Sequence, residues 1–366
     1  MKVERRKILI AAGGTGGHLF PAIAIAEELK SMISNVDIMF IGTKNRMEAE
    51  ILPKSGYNFR GTSIKGLPRK IGLKTISFLF SFLIAFFQAL KEVLKFKPNI
   101  AIGTGSYISV PPLIASKITG AKVFLSESNS LPGIATKFLS PIADEIYLSF
   151  EQSKKYFKDK SKLFVTGTPV RRTLFESNRD DAIKYFNLSK ELKTILVIGG
   201  SLGAKSINEK LKKIYQKLSE NYQIIWQTGK QDFEQYKTLE RNEHVIILPF
   251  IEKMDYAYSV CDLLISRSGA STVSEIVAQG IPSILIPSPN VTENHQYYNA
   301  MELVEKGAAE IHLDNQSSEE LYNQIVRLIS DEKKLRELSE NAKSLFKSDA
   351  AKVIANRLKK YLDNSE

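Results

Sequence analysis

The hydrophobic positions of this chain fall into short continuous runs separated by longer amphipathic stretches, the pattern of buried parallel strands alternating with helices. Two segments share one grammar. Lys7-Ile-Leu-Ile-Ala-Ala-Gly-Gly-Thr-Gly-Gly-His18 is an apolar run, a glycine-rich turn and then a helical pattern through Leu29. Lys193-Thr-Ile-Leu-Val-Ile-Gly-Gly-Ser-Leu-Gly-Ala204 repeats it, with a helical pattern running towards Leu218. Each reads as the opening β-loop-α unit of a doubly wound α/β domain, and two openings predict two domains of similar build. Further strands are expected at Asp37–Ile41, Ile100–Ile102, Lys122–Leu125, Glu145–Leu148 and Leu163–Val165. A second set is expected at Gln223–Gln227, Val245–Leu248, Leu263–Ile265 and Ser283–Ile286. The Gly167-Thr168-Pro169 turn ends the first domain, giving 1–166 and 167–345, and the polar stretch Glu176–Lys193 leads into the second opening. From Ser318 onward the pattern is helical.

A length of 366 residues suits two domains, and 43% hydrophobic with 25% charged residues excludes disordered and fibrous classes. A net charge of +11 points to an anionic partner. No zinc finger, RNP motif or long basic helix is present, so nucleic acid is not the expected partner. Cys261 stands alone, which excludes an internal disulfide framework and a Cys-rich zinc site and suits a reducing cytoplasm. His18, His244, His295 and His312 show no metal-ligand spacing. The apolar run Ile8 to Ala12 is too short for a signal-peptide core and leads directly into the first glycine loop, so the chain is expected to stay in the cytoplasm.

Gly13-Gly14-Thr15-Gly16-Gly17 allows positive φ and close approach of backbone to a ligand. At a helix start, unpaired N–H groups and the dipole favour a phosphate. Gly199-Gly200-Ser201-Leu202-Gly203-Ala204 offers the same, with Ser201 as a donor to a phosphate oxygen. Neither loop is a P-loop, and the dinucleotide fingerprint fits poorly. A third small-residue site runs from Ser266 to Glu275, where Glu275 is expected on a helix face that can accept from a ribose diol. The plainer reading of each loop is a tight turn, and of Glu275 a charge that favours the helix dipole.

Taken together these residues resemble the MurG family, the N-acetylglucosamine transferases that complete lipid II in bacterial cell-wall synthesis. The resemblance is carried by Gly13–His18 with Phe20-Pro21, Gly42-Thr43, Arg46-Met-Glu-Ala49, Gly103-Thr-Gly-Ser-Tyr107 and Glu127 with Asn129. Gly167–Arg171, Gly199–Ala204, Arg267–Glu275, Gln296 and Asn299-Ala300 continue it in family order over nearly the whole chain. The chain departs from the family pattern at Ser126, Ser128, Leu202 and His295, which bears on the sugar contacts. The resemblance implies two Rossmann-like domains facing across a deep cleft, the GT-B arrangement, with the helix of about 346–366 packed back on the first. It implies donor contacts in the C-terminal domain from Arg171, Ser201, Ile251, Ala270, Ser271, Thr272, Val273, Ser274, Glu275, His295, Gln296 and Asn299. Thr15, Gly16, Gly17 and Asn129 would complete the donor site from the N-terminal domain.

The implied reaction is inverting transfer of GlcNAc from UDP-GlcNAc to the 4-hydroxyl of MurNAc in undecaprenyl-linked lipid I. His18 is the first candidate base, because imidazole can titrate near neutral pH. Glu127 is its rival, with an ordinary strand-end charge as the plainer reading, and Tyr107 is a candidate acceptor contact. His18 could equally order the loop or bind acceptor phosphate. The sequence has no Asp-x-Asp motif, so no metal or other cofactor is expected. A UDP-GlcNAc 2-epimerase and a diacylglycerol glycosyltransferase share the expected fold and remain rivals, as does a non-catalytic nucleotide-sugar-binding protein.

Thr75–Leu90 carries no charge but, with Ser and Gln inside it, reads as too short and too polar to span a bilayer. Arg60, Lys65, Arg69, Lys70, Lys74, Lys91, Lys95 and Lys97 flank it against Glu92 alone. An apolar helix among cations predicts peripheral contact of the 65–97 segment with an anionic membrane surface. One buried helix of the first domain is the plainer alternative. A family member would work at the cytoplasmic face of the plasma membrane, with other cell-wall synthesis proteins as candidate partners.

Overall fold

The structure is a computed structural model that describes residues 5–64, 66, 72–239, 243–291, 294–346 and 349–363. The chain divides into two compact units, Met1–Arg171 with Ser348–Glu366, and Arg172–Lys347. The first division falls after Arg171 and not at 166. Thr166 and Gly167 donate their N–H groups to the Leu148 carbonyl, and the Arg171 guanidinium lies 4.3 Å from the Phe20 ring centroid, which ties this stretch to the first unit.

The first unit begins β1 (Arg6–Ala11), α1 (Gly16–Met32), β2 (Val36–Thr43), α2 (Met47–Lys54) and β3 (Asn58–Thr62). It continues through α3 (Leu73–Phe96), β4 (Ile100–Gly103), α4 (Val110–Ile118), β5 (Lys122–Glu127), α5 (Ile134–Leu139), β6 (Glu145–Leu148) and β7 (Leu163–Val165). All seven strands are parallel, in the order β3-β2-β1-β4-β5-β6-β7. Side chains alternate across this sheet. Ile8, Ile10, Phe40, Ile100 and Ile102 face one core with α1, while Leu9, Ala11, Met39, Ile41 and Ala101 face a second core with α3 and α4.

The second unit holds α6 (Arg179–Phe186), β8 (Thr194–Ile198), α7 (Lys205–Ser219), β9 (Gln223–Gln227), α8 (Phe233–Tyr236), β10 (Val245–Leu248) and α9 (Met254–Val260). It continues with β11 (Leu263–Ser266), α10 (Ala270–Gln279), β12 (Ser283–Leu285), α11 (His295–Val304), β13 (Glu310–Ile311), α12 (Ser318–Ser330) and α13 (Glu332–Ser344). Its parallel sheet runs β10-β9-β8-β11-β12-β13. Helix α7 shows why such helices form: Ile207, Leu211, Ile214 and Leu218 make one buried stripe at helical spacing. Helix α12 starts on a reciprocal capping box between Ser317 and Glu320.

The last helix, α14 (Ala350–Asp363), belongs to the first unit. Its Ile354, Ala355, Leu358 and Leu362 join the same core as Ile8 and Ile10, covering α1. That is why α1 is apolar nearly all round: one side meets the sheet and another meets α14. Arg357 donates from Nε and Nη2 to the two carboxylate oxygens of the buried Glu145, at 2.8 and 2.6 Å.

Helix α3 is longer than its uncharged run. Thr75–Phe96 is apolar and long enough to cross a membrane by length and composition, with a mean hydropathy of 1.6 over its most apolar window. One face nevertheless belongs to the unit's interior, where Ser81, Ala85, Ala89 and Val93 are buried at four-residue spacing. Gln88 also accepts from the Ser63 N–H at 2.9 Å. The opposite face presents Ile76, Leu79, Phe80, Leu83, Ile84, Phe87 and Leu94, each more than half exposed. Lys91, Lys95 and Lys97 are exposed beside them, and Arg60 pairs with Glu92 at 3.1 Å. Lys65, Arg69 and Lys70 lie outside the described residues, as does the side chain of Lys74.

Candidate active site

In both sheets the strand order reverses between the first strand and the one that follows the crossover, at β1/β4 and at β8/β11. Ligands of doubly wound sheets bind at the carboxyl ends of the strands beside such a point. The glycine loops follow β1 and β8, so topology brings them to these two positions.

In the first unit the loop after β1 bends at Gly13 (φ 150°) and Gly14 (φ 90°). A Cβ on Gly13 would stand 2.3 Å from Oε1 of Glu48, so only glycine fits. Glu48 is fully buried at the start of α2 and holds the loop. Its Oε2 accepts from the Gly14 N–H at 3.1 Å, and its Oε1 accepts from Thr43 N–H and Oγ1 at 3.0 and 2.6 Å. Arg46 adds a bond from Nη1 to the Gly14 carbonyl at 3.3 Å. Thr15 caps α1 without a side-chain bond, and the N–H groups of Thr15, Gly16 and Gly17 have no partner among the described residues. These are the donors that a phosphate would take.

His18 lies in the first turn of α1 and Thr104 follows β4. The ring Nδ1 is 2.8 Å from the Thr104 carbonyl oxygen, and Thr104 Oγ1 donates back to the His18 carbonyl at 2.7 Å. A carbonyl can only accept, so Nδ1 carries a proton and the lone pair of the neutral ring sits on Nε2. Gly105 (φ 94°) passes beside the ring, where a Cβ would come within 2.8 Å of Nδ1. Tyr107 is half-buried, with its ring edge-on to Phe78 of α3 at 6.3 Å between centroids.

Glu127 ends β5, and its environment favours the holding role over the chemical one. It is 2% exposed, and each carboxylate oxygen accepts two bonds. Oε1 takes Asn129 N–H and Nδ2 at 3.0 Å each; Oε2 takes Gly133 N–H at 3.0 Å and Thr136 Oγ1 at 2.5 Å. Four donors occupy the lone pairs a base would use. The structure thus gives Glu127 a holding role, setting Asn129 and the 127–136 loop. Arg171, expected in the C-terminal domain, stacks on Phe20 of α1 in the first unit.

In the second unit the loop after β8 turns at Gly200 (φ 85°) and Gly203 (φ 80°) and packs on Thr228, whose carbonyl would lie 2.0 Å from a Cβ on Gly203. Gln227, buried at the end of β9, donates from Nε2 to the Gly200 carbonyl at 2.9 Å and accepts from the Ile251 N–H at 2.8 Å. The Ser201 side of the loop is half-buried, whereas Leu202 is 72% exposed. Helix α10 begins after Gly269 with no acidic residue in its first turn; Val273 N–H returns to the Gly269 carbonyl, and the amides of Ala270, Ser271 and Thr272 have no backbone partner among the described residues. Ser274 Oγ bonds the Ala270 carbonyl at 2.9 Å. Glu275 is buried and accepts from Tyr258 Oη at 2.8 Å, so part of its acceptor capacity is spent inside the unit. Gln296 accepts through its side chain from Ser288 N–H and through its backbone from Ser268 Oγ, at 2.9 and 2.8 Å. Asn299 donates to the Ser268 carbonyl at 3.3 Å, and His295 opens α11. Arg267 ties the strand ends together, donating to Asp314 at 2.7 Å, Ser206 at 2.6 Å and the Ile286 carbonyl at 3.0 Å.

The loops are placed by the sequence, but what holds them is not: Glu48 and Thr104 stand there only as motif residues without a role, and Gln227 only as a strand end. Among the described residues no three His, Cys, Asp or Glu side chains form a metal-binding cluster.

Residues 8–148 match the glycosyltransferase family 28 N-terminal domain, and residues 194–354 match the C-terminal domain of the same family. A UDP-N-acetylglucosamine–N-acetylmuramyl-(pentapeptide) pyrophosphoryl-undecaprenol N-acetylglucosamine transferase of Flavobacterium psychrophilum is 43% identical, with all of both chains covered. The protein of the same description from Christiangramia forsetii is 39% identical over 99% of each chain. The crystal structure of Acinetobacter baumannii MurG covers 98% of this chain and 100% of its own, at 28% identity and a TM-score of 0.72. The chain belongs to the MurG family. A putative UDP-N-acetylglucosamine 2-epimerase from Listeria monocytogenes, at 14% identity and a TM-score of 0.70 over 97% of this chain and 95% of its own, shares the fold alone. MurG membership thus separates this chain from the epimerase rival by identity along its whole length, which fold likeness could not do.

Proposed function

We propose that the chain is an inverting glycosyltransferase that moves N-acetylglucosamine from UDP-GlcNAc to the 4-hydroxyl of MurNAc in undecaprenyl-diphosphate-linked lipid I, giving lipid II. The observation that carries this reading is full-length identity to transferases of that name. Phosphate-ready loops at the switch point of each sheet support it.

On this reading the second unit binds the donor. Ser201 and the amides of Ala270 to Thr272 receive the diphosphate, Glu275 the ribose hydroxyls, and Ile251, His295, Gln296 and Asn299 the remainder. Arg171, Asn129 and the Thr15–Gly17 loop of the first unit add to the donor contacts. The first unit also binds the acceptor, through Tyr107 among others. The acceptor 4-oxygen attacks the anomeric carbon, its proton passes to Nε2 of His18, and the bond from that carbon to the β-phosphate oxygen breaks. The negative charge leaving on UDP is met by helix N-terminal amides and by Arg171. The absence of an Asp-x-Asp motif supports a reaction that needs no divalent ion.

UDP release from UDP-GlcNAc, with and without a lipid I analogue and in EDTA, tests this. Acceptor-dependent release with formation of a disaccharide-lipid is expected. Release without acceptor, or formation of UDP-ManNAc, would overturn it in favour of an epimerase.

A lipid acceptor, the outward apolar face of α3 and the cations beside it support peripheral attachment to an anionic membrane at the cytoplasmic face. There the protein would serve cell-wall biogenesis, and through it cell shape and division, beside other cell-wall synthesis proteins. Phe80→Glu with Phe87→Glu is expected to reduce binding to phosphatidylglycerol vesicles by about 10²–10⁴-fold, since each buried Phe contributes roughly 1.5–3 kcal/mol. Both side chains are exposed, so thermal stability should not change. Undiminished sedimentation with vesicles would remove α3 from the membrane contact.

A further inference from the structure

Ser206 lies in the first turn of α7, directly beyond the Gly199–Ala204 loop, and Arg267 links β11 to α10. Asp314, in the turn after β13, joins the two. Its Oδ1 accepts from Ser206 Oγ and from Arg267 Nη1, each at 2.7 Å, and Arg267 Nη2 donates to Ser206 Oγ at 2.6 Å, which closes a triangle. A further bond, from Nη1 to the Ile286 carbonyl at 3.0 Å, sets the guanidinium against the end of β12. The ion pair is largely withdrawn from water, with side chains 12% exposed at Arg267 and 20% at Asp314. The turn that carries Asp314 is itself held. The buried Lys210 of α7 donates from Nζ to the Gln316 carbonyl, and Gln316 Oε1 accepts from the Leu313 N–H at 2.5 Å.

A carboxylate at the carboxyl edge of this sheet works against the binding of a diphosphate there, so its placement calls for a compensating use. The Ser201 loop runs into Ser206, and the Ala270–Thr272 amides follow Arg267, so each phosphate-ready segment adjoins one corner of the triangle. Without Asp314, Arg267 keeps only the neutral acceptors Ile286 and Ser206 among the described residues. We propose that Asp314 is a positioning residue for the donor. By clamping Ser206 to Arg267 it fixes the spacing between the Ser201 loop and the N-terminus of α10, the two segments that take the diphosphate of UDP-GlcNAc. The inference rests on the donor-site reading above.

The test compares Asp314→Ala with Asp314→Asn, whose amide oxygen can still accept from both partners. UDP binding to the full chain is measured by calorimetry, and donor and acceptor KM by UDP release with a lipid I analogue. Asp314→Ala is expected to weaken UDP binding and raise donor KM about tenfold, the effect of losing one hydrogen bond to a charged group, with acceptor KM unchanged. Asp314→Asn is expected to recover most of both. An Asp314→Ala chain that melts lower yet binds UDP like the wild type would overturn the proposal, leaving Asp314 a purely structural residue. Equal losses in the two variants would also overturn it, since charge and not position would then be the cause. Ser206→Ala, which breaks the bridge and leaves the ion pair, should raise donor KM in the same direction. An unchanged value there would overturn the proposal even if Asp314→Ala does not fold. Failure of the wild-type chain to bind UDP would instead be a failure of the donor-site reading.

Discussion

Replacing His18 by alanine or glutamine is expected to lower kcat about 10²–10⁴-fold while leaving both KM values within a few-fold. Nδ1–H is committed to the Thr104 carbonyl at 2.8 Å, and that bond does two things. It fixes the ring plane, and on the proposed reading it leaves Nε2 to take the acceptor proton. It also remains in place when the ring becomes imidazolium, so no rearrangement is needed at the moment of transfer. Equal losses of kcat and acceptor binding would instead make His18 a ligand for acceptor phosphate.

Removing Arg357 is expected to weaken the docking of α14 by about 3 kcal/mol, the scale for stranding one member of a buried ion pair. Among the described residues Glu145 would keep only Tyr147 Oη and Tyr361 Oη as donors, at 2.9 and 3.1 Å, while Arg357 also leaves its place 3.4 Å from the Phe164 ring centroid. Burial pushes the Glu145 carboxyl up, but the bonds from Arg357 and Tyr147 outweigh it and hold the carboxyl below the usual range. A depressed carboxylate contributes its full stability above the ordinary glutamate value of about 4.3. That contribution is lost as pH falls through the folded value. Hydrogen exchange of α14 amides in Arg357→Ala should therefore be about a hundredfold faster near pH 7, with the gap to wild type narrowing in acid. A gap that stays the same at both pH values would mean the ion pair is not what holds the helix. Fluorescence would not report this change, because the single tryptophan, Trp226, belongs to the second unit.

How far the molecule could be read from its sequence depended on how locally each feature is encoded. Glu145–Leu148 and Gln223–Gln227 are strands over the residues expected, because central parallel strands are buried on both faces, and the edge strands Leu163–Val165 and Val245–Leu248 also match because they keep a continuous apolar run. Strand β3 was not anticipated. It is an edge strand whose Asn58 and Arg60 face solvent, so Asn-Phe-Arg-Gly-Thr has no apolar run. Helix α6 was hidden in a polar stretch for a similar reason, since only Ala182 and Phe186 turn inward and the Asn178 cap does the starting. At the site, glycines announce turns wherever they stand. The side chains that shape those turns come from far along the chain: Glu48 reaches Gly14, and Thr104 reaches His18. The role of Glu127 was ambiguous because its four donors come together only once the loop through Thr136 has closed.

The return of α14 to the first unit bears on how the protein is made. A ribosome releases the seven strands and α1 long before residues 350–363 emerge, so α1 waits through the synthesis of the entire second unit with an apolar flank uncovered. The nascent amino-terminal half is for that interval a substrate for chaperones and for self-association. A premature stop anywhere in the second unit would leave it permanently in that state, so such truncations should be lost by aggregation and degradation, not as inactive folded fragments.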